Sequence, residues 1–214
     1  MDLREVRRLV FEGESTRVEF KRKVKFPEKI IREIVAFANT EGGHLFIGVD
    51  DDGSIPGVKF AEEEDYLMQK SIAELCRPGV RFDSEIIPLN DTYSVIHYHI
   101  YESEKKPHYA FLKKQHRYGK AFVRINDRSV QASNEIRRIL KQKNLADSFP
   151  FEYGEKERML LNFLGKNERI TLKQFKELTD LPYRKASDIL VSLAVSNVIK
   201  IIPGEGEDWF EFVE

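Results

Sequence analysis

The chain has 214 residues, of which 41% are apolar and 33% charged, and its net charge at pH 7 is −1. This composition is typical of a globular protein and excludes a disordered chain. No apolar run is long enough to cross a bilayer, and the first residues lack the apolar centre of a signal peptide, so the sequence predicts a cytoplasmic protein with no membrane partner. Cys76 is the only cysteine, which excludes an internal disulfide and a cysteine zinc site.

The first sixty residues predict two helices and two strands. Apolar residues recur at helical spacing over residues 2–11, and the alternation in RVEFKRK indicates a half-buried strand. Pro27 suits the first turn of a second helix, which ends at the glycines of residues 39–43. The continuous apolar run LFIGV is typical of a central strand that is covered on both faces.

The following residues add two helices and three strands. Residues 61–76 show an amphipathic helical pattern, and EIIPL and YSVIHYHIY indicate strands joined by a turn at Asn90 and Asp91. KAFVRI indicates a further strand, and Ser133 is suited to cap the helix after it. Because helices and strands do not alternate strictly, we predict an α+β fold, and we find no internal repeat.

The end of the chain predicts a second domain. Residues 145–154 lose the periodic pattern and contain Pro150, which is typical of a linker. We therefore assign residues 1–144 to a first domain and residues 155–214 to a second. The second domain shows three amphipathic helices followed by a β-hairpin, and it resembles a winged helix in this organisation.

Several motifs of the first domain carry a family resemblance. The segments ESTRVEFK, AFANTEGG and GVDDDGSIPGV, followed by YGKAFVRINDRSVQAS, resemble the Schlafen-type AlbA domain over residues 10–140. The resemblance implies an Alba-like fold, nucleic-acid binding with a role in the regulation of transcription, and association into a homodimer.

Four carboxylates are candidates for catalysis, namely Glu14, Glu19, Asp50 and Asp51. Mg²⁺ and Mn²⁺ prefer carboxylate oxygens and activate water for attack on a phosphodiester. In animal Schlafen proteins a matching set belongs to a metal-dependent ribonuclease, so the resemblance implies Glu14, Glu19 and Asp51 as metal ligands. In the alternative interpretation, Glu19 only pairs with a basic residue across the sheet, and Asp52 only favours its turn. The chain has no Walker A loop, so we do not predict ATP as a cofactor.

Basic residues in two segments predict contacts with nucleic-acid phosphates. They are Arg17, Lys21 and Arg22 in the first segment, and Lys113, Lys114, Arg117, Lys120, Arg124 and Arg128 in the second. The second segment is interleaved with Tyr109, Phe111 and Tyr118, which offer planes for base stacking. A solvated loop with ordinary lysines is the alternative.

The second domain offers a separate candidate surface. Arg184 and Lys185 lie near the start of its third helix, where a recognition helix contacts the DNA major groove. However, residues 155–214 contain nine basic against eleven acidic residues, and the hairpin turn GEGED is acidic. An acidic turn is repelled by phosphates, so contacts with protein remain an alternative.

His97 and His99 alternate on one predicted strand and therefore share a face. They indicate either a polar sheet surface or a metal site. Taken together, the sequence predicts a nucleic-acid-binding transcription regulator. A metal-dependent endoribonuclease and a non-catalytic protein-interaction adaptor are the alternatives.

Overall fold

A computed structural model describes residues 1–112, 117–143, 153–204 and 206–213. These residues form two compact units, Met1–Gln131 and Ala132–Glu214. Within the described ranges, no helix combines the length and the apolar character that a membrane span requires.

A four-stranded sheet is the centre of the N-terminal unit. Its strands lie in the order β1-β2-β5-β4, with bounds of Val18–Lys21 for β1, Gly43–Ile47 for β2, Phe82–Pro88 for β4 and Ser94–Ile100 for β5. Strands β1 and β2 are parallel, whereas the pairs β2–β5 and β4–β5 are antiparallel. Among the residues that the structure describes, β2 is the strand neighbour of β1, which is therefore an edge strand.

Helices cover both faces of this sheet. On one face, α2 (Pro27–Asn39) and α3 (Ala61–Leu75) bury apolar side chains against alternate residues of β2 and β5. On the other face, α1 (Leu3–Glu12) packs Val6 and Val10 against Phe46. The predicted central strand LFIGV thus lies between two layers, as its continuous apolar run requires.

Two short strand pairs complete the N-terminal unit. Strand β3 (Cys76–Arg77) pairs with β6 (Tyr109–Ala110). Strands β7 (Phe122–Ile125) and β8 (Arg128–Gln131) form a hairpin that packs on α2. The sequence predicted β7 but not β8, because its polar residues lack the alternation of a half-buried strand.

The C-terminal unit is mostly helical. Its elements are α4 (Asn134–Lys143), α5 (Glu155–Leu164), β9 (Ile170–Thr171), α6 (Leu172–Thr179), α7 (Tyr183–Val195), β10 (Ile199–Ile202) and β11 (Trp209–Phe212). The three strands form an antiparallel sheet in the order β10-β11-β9. The chain as a whole has the predicted α+β fold.

Helix α4 lies in the C-terminal unit, although the sequence assigned it to the first domain. Ile139 of α4 joins the apolar core formed by α5, α6 and α7. Glu135 of α4 accepts a hydrogen bond from the Ser187 hydroxyl at 2.7 Å. The helical pattern of α4 was recognisable, but a periodic pattern does not reveal which core a helix joins. Most of the predicted linker lies outside the described residues.

Candidate nucleic-acid interface

Two loops leave the central sheet side by side. Because β1 and β2 are parallel neighbours, their carboxyl ends meet at one edge, and residues 22–26 and 48–60 both start there. The Arg22 guanidinium joins the two loops through an ion pair with Asp50 at 2.8 Å. Ligands of open sheets with parallel strands bind at this kind of edge.

The first of these loops has a basic surface. Its cations are Arg22, Lys23, Lys25 and Lys29, and we call residues 22–29 the basic loop. All four side chains are exposed, and Glu28 is the one acidic residue among them. Arg22 pairs with Asp50, whereas no ion pair engages the three lysines within the described residues.

The backbone of the basic loop is anchored. Val24 is only 8% exposed and packs in the main core. Its N–H donates to the Glu64 carboxylate of α3 at 2.7 Å, and the Lys25 N–H donates to the Lys23 carbonyl at 3.0 Å. The lysines on either side of Val24 therefore extend into water from a fixed backbone.

Two of the predicted catalytic carboxylates, Glu14 and Asp50, already have partners. The Phe20 N–H donates to Glu14 at 2.8 Å, and Asp50 is paired with Arg22. Burial raises the pKa of Glu14, and the nearby carboxylates of Glu19 and Asp51 add to the rise. These acids thus lie close enough to affect one another's charge.

The same carboxylates do not fit a site for a divalent ion. Glu19 is buried, and its two oxygens pair with Lys21 and Arg124. Over the residues that the structure describes, no three His, Cys, Asp or Glu side chains are placed to hold a metal ion. An ion at Glu19 would have to displace a cation that already neutralises it. The alternation of polar and apolar residues in β1 predicted that Glu19 is accessible to solvent. The structure shows that Glu19 is buried.

The sequence predicted that Arg124 contacts phosphates at the surface, but the structure shows that Arg124 is buried. Its side chain is 0% exposed and pairs with Glu19 at 2.8 Å and Glu33 at 3.0 Å. The second nitrogen of the guanidinium donates to the Ser15 carbonyl at 2.6 Å. Burial raises the pKa of Glu33, and the neighbouring Glu19 raises it further. Arg124 thus links β1, α2 and β7 and is not available to a phosphate.

Several of these residues cover the free edge of β1. Glu14 accepts the outward Phe20 N–H, and the Lys21 ammonium donates to the Phe20 carbonyl at 2.7 Å. An uncovered edge strand invites pairing with another chain, and charged side chains prevent it. The arrangement of Glu14, Lys21 and Arg124 therefore has a structural purpose that the sequence did not indicate.

The other predicted contacts are distributed over both units. Arg17 forms a surface ion pair with Glu41 at 3.0 Å. Exposed basic residues of the remaining set are Arg117, Lys120, Arg128, Arg184 and Lys185. Lys113 and Lys114 lie outside the described residues. Lys23, Lys25 and Lys29 were not among the predicted phosphate contacts, although Lys23 and Lys25 lie in a basic segment between β1 and α2.

Three histidines lie together on the sheet face next to α1. His44 of β2 stands opposite His99 of β5, and their rings stack with centroids 4.9 Å apart. The Nδ1 atom of His44 lies 2.8 Å from Nε2 of His97, whose Nδ1 lies 2.9 Å from a Glu85 oxygen. His97 is 4% exposed, so this face is more enclosed than the polar sheet surface that the sequence indicated.

This cluster predicts a loss of stability in mild acid. Burial, with the neighbouring His97 next, lowers the pKa of His44 to about 4. The pKa of His44 is about 4 in the folded protein and 6.5 in the unfolded chain, so the unfolded chain takes up a proton first as the pH falls. The contribution of His44 to stability is therefore complete above pH 6.5 and is lost as the pH falls towards 4. We expect the unfolding free energy to fall by more than about 1.4 kcal/mol between pH 6.5 and 4, the equivalent of one pKa unit. Urea denaturation of the wild type and His44→Gln measures this, and an equal decrease in both proteins would contradict it.

The fold and the basic loop define an α+β domain with a basic edge, and the sequence comparison places it in a family. The family model "Schlafen, AlbA_2" matches residues 14–133. This is more than half of the chain, which therefore belongs to the Schlafen AlbA_2 family. No curated protein matches the sequence significantly.

The solved structures that resemble the chain include two of low sequence identity. One is the N-terminal domain of a protein from Nitrosomonas europaea that is related to the ATP-dependent DNA helicase RecG. Its sequence is 20% identical, the match covers 62% of this chain and 94% of that chain, and the TM-score is 0.45. The other is the DIP2311 protein from Corynebacterium diphtheriae, with 15% identity, coverage of 64% and 25%, and a TM-score of 0.44. The match thus spans a quarter of the second protein, and these scores are too low to support a functional argument.

Proposed function

We propose that this protein binds nucleic acid and that the basic loop holds the phosphate backbone. The observation that carries this proposal is the set of three exposed lysines, Lys23, Lys25 and Lys29, on an anchored backbone at the carboxyl edge of two parallel strands. Lysines without a carboxylate partner are free to exchange their counterions for phosphates. This exchange provides most of the affinity of a non-specific nucleic-acid contact.

The local charge supports a polyanion as the partner. The basic loop has four cations and one carboxylate, whereas the whole chain has a net charge of −1. Attraction is therefore confined to a patch and does not come from the overall charge. The resemblance to Schlafen-type AlbA domains, from which nucleic-acid binding was predicted, agrees with this proposal.

The C-terminal unit supports a second contact, with DNA, and a role in regulating transcription. Its order of α5, β9, α6, α7 and the β10–β11 hairpin supports the predicted resemblance to a winged helix. Arg184 and Lys185 are exposed at the start of α7, the position of a recognition helix. Asp188, the acidic residue on the exposed side of α7, is neutralised by Arg138 of α4. The homodimer stays a prediction of the resemblance.

The metal-dependent endoribonuclease has no such support. Glu19, which the family pattern implies as a metal ligand, is paired with Lys21 and Arg124. The ion pairs of Glu19 and Asp50 therefore favour a binding protein over a nuclease.

The salt dependence of binding tests the proposed function. We expect the protein to bind a labelled poly(U) strand, and the logarithm of the binding constant should fall linearly with the logarithm of the salt concentration. The triple variant Lys23→Gln, Lys25→Gln, Lys29→Gln should reduce the slope by about 2, since each lost phosphate contact removes about 0.7 for single strands. Fluorescence anisotropy at several salt concentrations measures both quantities.

A charge-matched variant provides the control. Lys70→Gln, Lys105→Gln, Lys166→Gln removes three exposed lysines outside the basic loop and should leave the slope unchanged. Equal slopes for the wild type and the basic-loop variant would show that the loop does not contact phosphates, and binding that is independent of salt would exclude a phosphate contact altogether.

A further inference from the structure

The tripeptide Val-Lys-Phe occurs twice in the N-terminal unit, at residues 24–26 and 58–60. Each copy follows one of the two parallel strands and immediately precedes a helix, α2 or α3. A repeat of three residues is too short to be recognised in the sequence without the matching positions in the fold. In the structure the two copies occupy corresponding positions, each between a parallel strand and a helix.

The two copies share the same local arrangement. In each, the valine is buried in the main core, with 8% of Val24 and 5% of Val58 exposed. In each, the phenylalanine is the residue before the helix and is largely exposed, Phe26 by 46% and Phe60 by 57%. Such an exposed ring contributes little to the core, so helix packing does not explain its presence.

Helix capping does not explain these rings either. Phe26 and Phe60 occupy the N-cap positions of α2 and α3, and neither makes a side-chain hydrogen bond to its helix. Serine, threonine, aspartate and asparagine are preferred there because their oxygens accept a free N–H of the first turn. An aromatic residue at both positions forgoes that stabilisation.

A lysine ammonium lies over each ring. Lys25 and Lys29 are 5.4 Å and 4.9 Å from the centroid of Phe26, and Lys59 is 5.5 Å from the centroid of Phe60. These distances are within the range of a cation–π contact. A ring next to an ammonium matches the two parts of a nucleotide, because the base stacks on the ring while the phosphate binds the ammonium.

The two copies are neighbours. The Val24 N–H donates to the Glu64 carboxylate, and the Glu64 N–H donates to the Phe60 carbonyl at 3.1 Å. Together with the Arg22–Asp50 ion pair, these bonds fasten the first loop to the second and to the start of α3. Both segments therefore lie at one edge of the sheet, and hydrogen bonds hold their backbones.

Resting on the function proposed above, we propose that the two Val-Lys-Phe segments are stacking sites for unpaired bases, so that this edge binds single-stranded nucleic acid in preference to duplex. Bases in a duplex are stacked on one another and offer no face to a phenylalanine, whereas those of a single strand do. The two sites are unequal. Glu62 and Glu63 follow Phe60 and are exposed, so phosphates are repelled there, and Phe26 contributes more.

The test compares single strands with duplex. Phe26→Leu and Phe60→Leu keep an apolar side chain but remove the aromatic face. We expect Phe26→Leu to weaken binding of a fluorescein-labelled poly(U) strand about tenfold, Phe60→Leu less, and the double variant most. The affinity for a duplex of the same length should change by less than about twofold, because duplex binding depends on the lysines. Phe11→Leu, which alters an exposed phenylalanine of α1, should behave as the wild type.

The possible outcomes separate this inference from the proposed function. If the lysine triple variant loses affinity while both phenylalanine variants bind poly(U) as the wild type does, the phosphate contact stands and the stacking sites are wrong. An equal loss for single strand and duplex also overturns the stacking sites. If the phenylalanine variants change the oligomeric state in gel filtration and not poly(U) binding, the rings serve contacts with protein. Circular dichroism melting of each variant confirms that the exposed substitutions leave the fold intact.

Discussion

Replacing Arg124 by methionine should lower the free energy of unfolding by about 3–5 kcal/mol, the usual cost of removing one partner from a buried ion pair. Arg124 neutralises Glu19 and Glu33, which are buried on β1 and α2. Methionine fills similar space but leaves the two carboxylates without their shared cation. Chemical denaturation followed by circular dichroism measures the loss.

Arg17→Met is the matched control for this prediction. Arg17 pairs with Glu41 at 3.0 Å, the same kind of contact, but both side chains are more than half exposed. Exposed ion pairs contribute about 0–1 kcal/mol, so the control should lose no more than that. Equal effects of the two substitutions would mean that the buried network does not stabilise the fold. If Arg124→Met does not fold, Arg124→Lys, which keeps one charge and loses the forked geometry, should fold with reduced stability.

Replacing Asn39 by alanine should cost about 3–4 kcal/mol, since three hydrogen bonds to buried backbone groups are lost together. The Asn39 amide donates to the carbonyls of His108 at 3.0 Å and Phe122 at 2.9 Å, and its oxygen accepts the His108 N–H at 2.7 Å. Alanine leaves these groups in the core without partners. The same denaturation experiment measures the effect.

Asn90→Ala is the control for Asn39. Asn90 accepts two backbone hydrogen bonds in an exposed turn, where water replaces a lost partner. We expect it to cost about 1 kcal/mol or less. A cost for Asn39→Ala that is no larger than this would show that the segments around His108 and Phe122 do not depend on the asparagine.

The arrangement of the fold was largely predictable from the sequence because local patterns determine it. Pro27, the apolar face of α2 and the glycines after Asn39 mark a helix by residue spacing alone. The runs EIIPL and YSVIHYHIY mark β4 and β5, with Asn90 in the turn between them. These signals act over a few residues, so no knowledge of distant partners was needed.

The environment of individual charges was not predictable in the same way. Glu19 lies in a strand pattern that predicts an accessible polar face, yet its partner Arg124 is 105 residues away in sequence. Helix α4 was recognised, but its contact with Ser187 of α7 spans 52 residues. In both cases the deciding contact is long-range, and a single sequence contains no local sign of it.

The basic loop illustrates the opposite case. Lys23 and Lys25 follow shortly after β1, and they are exposed on either side of the buried Val24, whereas Lys29 lies in the first turn of α2. A buried valine within a run of lysines was visible in the sequence. What it did not show was the second copy of the motif, at Val58, on the neighbouring loop.

Lysine acetylation footprinting on the intact protein, read by mass spectrometry with and without poly(U), tests the central claim most directly. If the basic loop holds the phosphate backbone, Lys23, Lys25 and Lys29 become protected by the strand, while Lys70 and Lys105 react as before. Unchanged reactivity of the three basic-loop lysines, together with protection elsewhere such as at Lys185, would contradict the account.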